Sequence, residues 1–319
     1  MAYTTIDDPS VYFQTAIYAG NGSAGTSITN DGNSDLQPDW LWIKNRSNTV
    51  NHGIWDSSRG SGKRLTLGTG AEEDQTNVAS FNSDGFTVNT GDIVNTNSHT
   101  YVAWQWKANG GTTASNTNGT ITSTVQANTD AGFSIIKYDG NGTDGATIGH
   151  GLSQTPQIFF PKCLSTTTNW EMYYFPTGGT RQFGYLNLTN GLNTWSHNAP
   201  SSTIISLSGS GDSNGNGRSM IGYAFHSVQG YSKIGQYSGN GNADGVFVYT
   251  GFKPAWLMTK RIDSSDHWRI VDSTREPFND GSMQGLKANT DEAEADAGSR
   301  GLDFLSNGFK IRTTHPDSN

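Results

Sequence analysis

Tyr18–Gly25 reads YAGNGSAG, Tyr138–Gly145 reads YDGNGTDG, and Tyr237–Gly245 reads YSGNGNADG. The tyrosine recurs 120 and then 99 residues on, and the blocks after it recur in the same order. Gln37–Lys44 (QPDWLWIK), Thr155–Lys162 (TPQIFFPK) and Lys253–Lys260 (KPAWLMTK) form a second block. His52–Asp56 (HGIWD), Trp170–Tyr174 (WEMYY) and Trp268–Asp272 (WRIVD) form a third. Phe81–Val88 (FNSDGFTV) and Phe304–Ile311 (FLSNGFKI) form a fourth, which is diverged in the middle copy. Tyr101–Ala108 (YVAWQWKA) and Met220–Ser227 (MIGYAFHS) close the first two copies. A period of this length exceeds the roughly 20–47 residues of a solenoid repeat and matches a domain. The chain therefore reads as three tandem modules, over residues 1–112, 113–231 and 232–319.

The blocks are short, aromatic and β-branched, with Gly or Asn at their ends, which predicts strands. Val102, Trp104 and Trp106 share one face at period two. Trp40 and Trp42 share one face of their strand and Leu41 and Ile43 the other, so that strand should be covered on both sides. The Asn-Gly pairs predict type I′ hairpin turns. The expected fold is all-β, with tandem antiparallel β-sandwich, jelly-roll-like modules. One short acidic stretch, Asn289–Gly298, is the best helix candidate. Ala108–Asn118 reads as a flexible linker, and Val228–Ser232 as a shorter and stiffer one. The third copy has no closing block, so the expectation is a truncated chain or a strand brought from elsewhere; an uncompleted sandwich leaves an open apolar edge.

Composition narrows the function. The 319 residues carry 40 Gly, 11% aromatics, only 15% charged side chains and a net charge of −8. So many large aromatics need a folded core. The 20 Lys and Arg are scattered, and with no basic stripe to neutralise phosphates, nucleic acid is not an expected partner. No apolar run nears the ~20 residues of a membrane span, and residues 1–10 do not resemble a secretory signal. The single Cys163 forms no internal disulfide and reads as packing.

Each chemical motif competes with a simpler reading. Gly140, Gly142 and Gly145 match G-x-G-x-x-G, but no helix comes after them to hold a pyrophosphate. Asp212, Asn214 and Asn216 match the first half of a calcium loop, yet the twelfth position is Tyr223 where a bidentate Glu belongs. They stand as a Ca²⁺ candidate against the simpler reading of an Asn/Gly loop; no other cofactor is expected. Glu292, Glu294 and Asp296 alternate but are framed by Ala and charge, so they read as a solvated segment rather than a glycosidase pair. Glu72, Glu73 and Asp74 are adjacent and cannot share a face. Trp40, Trp104 and Trp170 recur and read as core, whereas Trp55 and Trp195 sit beside polar turns and are the candidates for glycan contact.

Taken together, the blocks Y-x-G-N-G, P-D-W-L-W-I-K-N-R, F-N-S-D-G-F and Y-V-A-W-Q-W-K, with the opening MAYTTIDDPS, resemble a repeat in virion structural proteins of marine tailed bacteriophages. That family is similar to laminin-G or concanavalin-like sandwiches. The resemblance covers nearly the whole chain. It implies a non-enzymatic tail-fibre or capsid-surface protein, assembled in the host cytoplasm and located in the virion. Other virion proteins, further copies of itself and host-surface glycans are the implied partners. It supplies no catalytic residues. In related chains a Y-x-Y-x-A-F-A-E-like strand comes after the third F-L-S-N-G-F block; it is absent here. A glycan-binding adhesin and a polysaccharide hydrolase are the competing expectations.

Overall fold

The structure, a computed structural model, describes residues 4–279, 284–296 and 301–319. Among these the chain is all-β, apart from one turn of 3-10 helix at Pro9–Val11 capped by the Asp8 carboxylate. Each sheet draws its strands from one sequence copy.

Module one contributes β1 (Phe13–Ala19), β2 (Thr26–Ile28), β3 (Trp40–Asn45), β4 (Gly53–Asp56), β5 (Lys63–Thr66), β6 (Glu73–Asp74), β7 (Val78–Phe81), β8 (Phe86–Val88) and β9 (Thr100–Trp106). They form a six-stranded sheet, β1-β9-β3-β4-β5-β6, and a three-stranded one, β2-β8-β7. Module two contributes β10 (Ala114–Asn116), β11 (Ser123–Asn128), β12 (Phe133–Asp139), β13 (Thr147–Gly149), β14 (Ile158–Cys163), β15 (Glu171–Tyr174), β16 (Gln182–Tyr185), β17 (Asn193–Thr194), β18 (Ile204–Ser206) and β19 (Ser219–Phe225). Its sheets are β10-β11-β12-β19-β14-β15-β16-β17 and β13-β18. Module three contributes β20 (Phe247–Tyr249), β21 (Trp256–Thr259), β22 (Arg269–Asp272), β23 (Gln284–Lys287), β24 (Ala295–Asp296), β25 (Leu302–Leu305) and β26 (Gly308–Ile311). Its sheets are β21-β22-β23-β24 and β20-β26-β25. All ladders between these strands are antiparallel.

The closing strands β9 and β19 lie in the middle of their sheets, each hydrogen-bonded on both sides. Their alternation serves two cores. In β9, Tyr101 and Ala103 point into the sandwich of module one, beside Leu41, Ile43, Trp55 and Phe86. Val102, Trp104 and Trp106 point the other way, into a second core with Trp40 and Trp42. That second core also takes Phe133, Phe160, Trp170 and Tyr223 from module two, and Trp268, Ile270 and Leu286 from module three. The large sheets of all three modules thus meet in one shared aromatic centre, and this is why β3 is buried at every position. Burying side chains of this size stabilises by about 1.5–3 kcal/mol each.

Four sequence expectations are corrected. The Asn-Gly pairs are not type I′ hairpins: Gly22, Gly142 and Gly241 have φ of +71°, +68° and +65°, but the asparagines before them do not enter the left-handed region. The strands flanking the turn also belong to different sheets, so the turn is a crossover. The stretch Asn289–Gly298 is not a helix where described: it carries β24, and residues 297 and 298 lie outside the described residues. Ala108–Asn118 is not a loose linker. The Ala108, Gly110 and Gly111 amides donate to the Asp39 carboxylate, and residues 114–116 form β10. Glu294 is not solvated: its side chain is 8% exposed and pairs with Arg46 of module one and Arg275 of its own module.

Candidate functional site

The junction of the three modules is built from equivalent residues, repeated in a ring. Trp170 Nε1 of module two donates to Thr66 O of module one at 2.7 Å. Trp268 Nε1 of module three donates to Tyr185 O of module two at 2.9 Å. His52, at the same place in its block, lies 3.1 Å from Lys287 O of module three through Nε2. Its Nδ1 accepts from Trp42 Nε1 at 2.8 Å, which leaves the proton on Nε2 and makes the imidazole a stand-in for the indole N–H. Burial, reinforced by the nearby Lys44 and Arg275 charges, pushes His52 down to about 3, so it is neutral.

A second ring runs through the backbone. Glu72 N donates to Leu164 O, Leu192 N to Ile262 O, and Glu294 N to Arg46 O, at 2.9, 2.8 and 2.8 Å. The repeated lysines reach across at two of the three junctions, and the third stays within its own module. Lys44 Nζ donates to the Asn45 and Asn48 carbonyls and to Asp291 O of module three. Lys162 Nζ donates to Thr168 O and to Thr69 O of module one. Lys260 Nζ donates to Arg261 O and Ser264 O. Desolvation pushes all three ammonium groups down to about 8. Among the described residues their acceptors are carbonyls, with the Thr168 hydroxyl beside Lys162, and no carboxylate lies within bonding reach, so the lysines fix geometry.

Asp56 and Asp272 are buried and paired with arginines, whereas the buried Asp39 and Glu171 accept from amide and hydroxyl donors. Asp56 binds Arg59 Nε at 2.5 Å, and Arg59 also reaches Glu72. Asp272 binds Arg275 Nε at 2.6 Å, and Arg275 also reaches Glu294. Module two carries neutral Tyr174, Thr177 and Leu192 at the matching positions. Removing one member of such a buried pair costs roughly 3–5 kcal/mol, because the other charge is left uncompensated. Residues of the closing strands reach across to these acids: Trp104 Nε1 donates to Asp272 of module three at 3.0 Å, and Tyr223 OH to Asp56 of module one at 2.7 Å.

The structure places the sequence candidates elsewhere than expected. Trp55 is 0% exposed, inside the sandwich of module one. Trp195 is 4% exposed and packs 4.1 Å from Tyr173, centroid to centroid. Neither offers a face to a sugar; adjacency to polar turns did not mean exposure. Asn214 is 0% exposed: its Oδ1 accepts from Asn141 N, and its Nδ2 donates to Asn141 Oδ1 and Thr143 O. Asp212 accepts from Asn169 N, while Asn216 packs beside Gly142. Asn214 therefore braces the Y-x-G-N-G turn rather than facing a cation. Asn95 holds Asn21 and Asn319 holds Asn240 in the same way. Among the described residues no group of three or more His, Cys, Asp or Glu side chains is placed to hold a metal. Glu292 pairs with Lys287 at the surface, and the Asp296 side chain lies outside the described residues. The recurring Trp40, Trp104 and Trp170 are core, as their repetition predicts. The residues that sequence reasoning missed are His52, Trp170 and Trp268 as a matched set; their shared place in the third block was the available signal.

A family described as a domain of unknown function, DUF7483, matches residues 8–319. The chain belongs to this family. The DUF7483 match runs through all three modules, so the unit it describes is the joined body and not a single sandwich. No curated protein and no solved structure matches the chain.

Proposed function

We propose that this chain is a non-catalytic structural protein of a tailed-phage virion, a tail-fibre or capsid-surface component that works as a stiff three-module block. The observation that carries the reading is the ring of equivalent contacts: three modules share one aromatic centre and lock one another through matched donors and carbonyls. Such a junction resists relative motion of the modules, which suits load-bearing and spacing. The ion pairs that hold Asp56, Asp272 and Glu294 support the same reading. The resemblance of the repeated blocks to phage virion proteins supplies the setting, with other virion proteins as partners. The glycan-contact reading loses its two named platforms with the burial of Trp55 and Trp195.

The test is to purify phage particles from the host that carries the gene and to search them by mass spectrometry and electron microscopy. The expected result is recovery of this chain's peptides at stoichiometric level and a density of three joined sandwiches on head or tail. Particles that lack the chain throughout assembly would remove the proposal.

A further inference from the structure

The small sheets of the three modules differ on their outer faces. Strands β20 and β26 repeat β2 and β8 in register: Phe247 pairs with Lys310 as Ser27 pairs with Thr87, and Val248 with Phe309 as Ile28 with Phe86. Alternation sends Val248, Phe309 and Ile311 into the sandwich of module three, beside Leu302 and Phe304 of β25. The same alternation turns Phe247 and Tyr249 outward, and they are 45% and 59% exposed. Counted from the glycine that ends the Y-x-G-N-G block, these positions are Ser27 and Thr29 in module one and Thr147 and Gly149 in module two. Module three alone carries aromatics there. Ser27 and Thr29 are exposed although β9 is in place, so the openness of this face does not turn on a central strand.

The face is flat where the rings lie. Gly308 stands opposite Tyr249, and a Cβ on it would come within 3.0 Å of the Phe247 ring, so that ring settles over bare backbone. Successive outward side chains of one strand stand about 6.6 Å apart, so the two rings make a short, level platform. A charged rim borders it. Lys310, opposite Phe247 in the ladder, holds Asp244 at 2.7 Å, and Arg312 reaches Asp244 at 3.1 Å and Asp303 at 2.6 Å. The bond from Lys310, helped by the Arg312 charge, holds the Asp244 carboxyl below its ordinary range. Two cations and two carboxylates cancel, so the rim offers donors and acceptors without net charge.

We propose that this outer face of module three is a binding platform for a neutral glycan chain. Phe247 and Tyr249 each stack on the apolar C–H face of one sugar ring, and the Lys310, Asp244, Arg312 and Asp303 side chains hydrogen-bond the hydroxyls at its edge. The match is chemical. A pyranose has the same two-part surface, with C–H groups on its faces and hydroxyls around its rim, and small-ligand sites join apolar surface to a few placed polar groups. The balanced rim gives an anionic or a cationic chain no advantage over a neutral one. A second protein is a poorer occupant. At 45% and 59% exposure the two side chains leave about 200 Å² in water, against about 800 Å² per partner in a stable interface. Paired aromatics in water are otherwise a liability, which modules one and two avoid with Ser, Thr and Gly. The platform is distinct from the buried Trp55 and Trp195, and it stands or falls apart from the virion reading.

The probes are four soluble neutral polysaccharides, a β-glucan, an α-glucan, a mannan and a galactan, cast in native gels and titrated calorimetrically against the whole chain. The expected result is that at least one retards the chain and binds saturably. Phe247→Ser and Tyr249→Thr install the side chains of module one and should each weaken that binding about tenfold. Both positions are exposed, so the melting temperature should stay within about 2 °C of the native value. Phe247→Tyr keeps the ring and should bind within about threefold of the native chain. No retardation by any of the four would overturn the proposal, and so would undiminished binding by the double variant. Tighter binding of an anionic polysaccharide such as alginate would overturn it too. So would a dimer that Phe247→Ser disperses in sedimentation, because the occupant would then be a second copy.

Discussion

Modules two and three share the same pattern of blocks, yet among the described residues only module two has a central strand in its large sheet. Module two has Phe160 at 4% exposure in a strand flanked on both sides; its counterpart in module three, Met258, is partly exposed on an edge strand. Among the described residues, the interior core of module two draws on sixteen buried residues across both sheets, that of module three on five. The contrast shows what the central strand contributes. Like β3 and β14 on its flank, it serves the sandwich and the shared centre at once, so both are thinner where it is not among the described residues. Module three keeps its place because the ring contacts of Trp268, Ile262 and Glu294 do not depend on that strand.

The largest test of this contrast is a matched pair of truncations. Phe160→Ala should cost about 3–5 kcal/mol in urea unfolding, the usual figure for deleting a buried aromatic. Met258→Ala at the equivalent position should cost less than half of that, because its surroundings are already partly wet. Equal costs would mean that β21 is covered in solution.

Much of this was legible in the sequence, for identifiable reasons. The repeat, the all-β class and the two-sided burial of Trp40-Leu41-Trp42-Ile43 come from periodicity, which reports burial directly. The missing closing block was also visible, but its place was not. Sequence order put YVAWQWK last, whereas the sheet puts it in the middle, and order along the chain does not encode order across a sheet. The shared centre was hidden for a related reason: apolar residues on both faces say that something covers each face, not that the cover is another module. Trp55 and Trp195 were misjudged because a turn beside a residue constrains its backbone and leaves its side chain free to point inward. Asn214 looked like a ligand because cation loops and braced turns use the same residues, Asp, Asn and Gly.

The second test compares the His52 lock with its two tryptophan equivalents. In the folded chain His52 is held near 3, and in the unfolded chain it returns to about 6.5. Between these values the unfolded state takes up a proton that the folded state refuses, so stability falls as pH drops below about 6.5. From that shift the loss at pH 5 is about 2 kcal/mol. His52→Gln keeps an N–H donor and does not titrate. The stability difference between the native chain and His52→Gln should therefore shrink by about 2 kcal/mol from pH 7 to pH 5, read by urea midpoints. A difference that stays constant would mean that His52 is not sealed in the junction. Trp268→Phe and Trp170→Phe should each cost about 1–2 kcal/mol, with no pH dependence of their own, since they leave a carbonyl without its donor.

The smallest test separates the brace from the cation at Asn214. Asn214→Ala should cost about 1–2 kcal/mol, because Asn141 N loses its acceptor and the turn loses its tie. The same change at Asn319, which is partly exposed at the equivalent turn of module three, should cost less. Asn214→Asp makes the two readings diverge. A carboxylate has no proton to donate to Asn141 Oδ1 or Thr143 O, so as a brace it is worse than asparagine; as a cation ligand it would be better. The expected melting curve of Asn214→Asp is shifted down and is the same with calcium or with chelator. Recovery of its stability on adding calcium would return Asp212, Asn214 and Asn216 to a metal site, and would break the equivalence of the three braced turns.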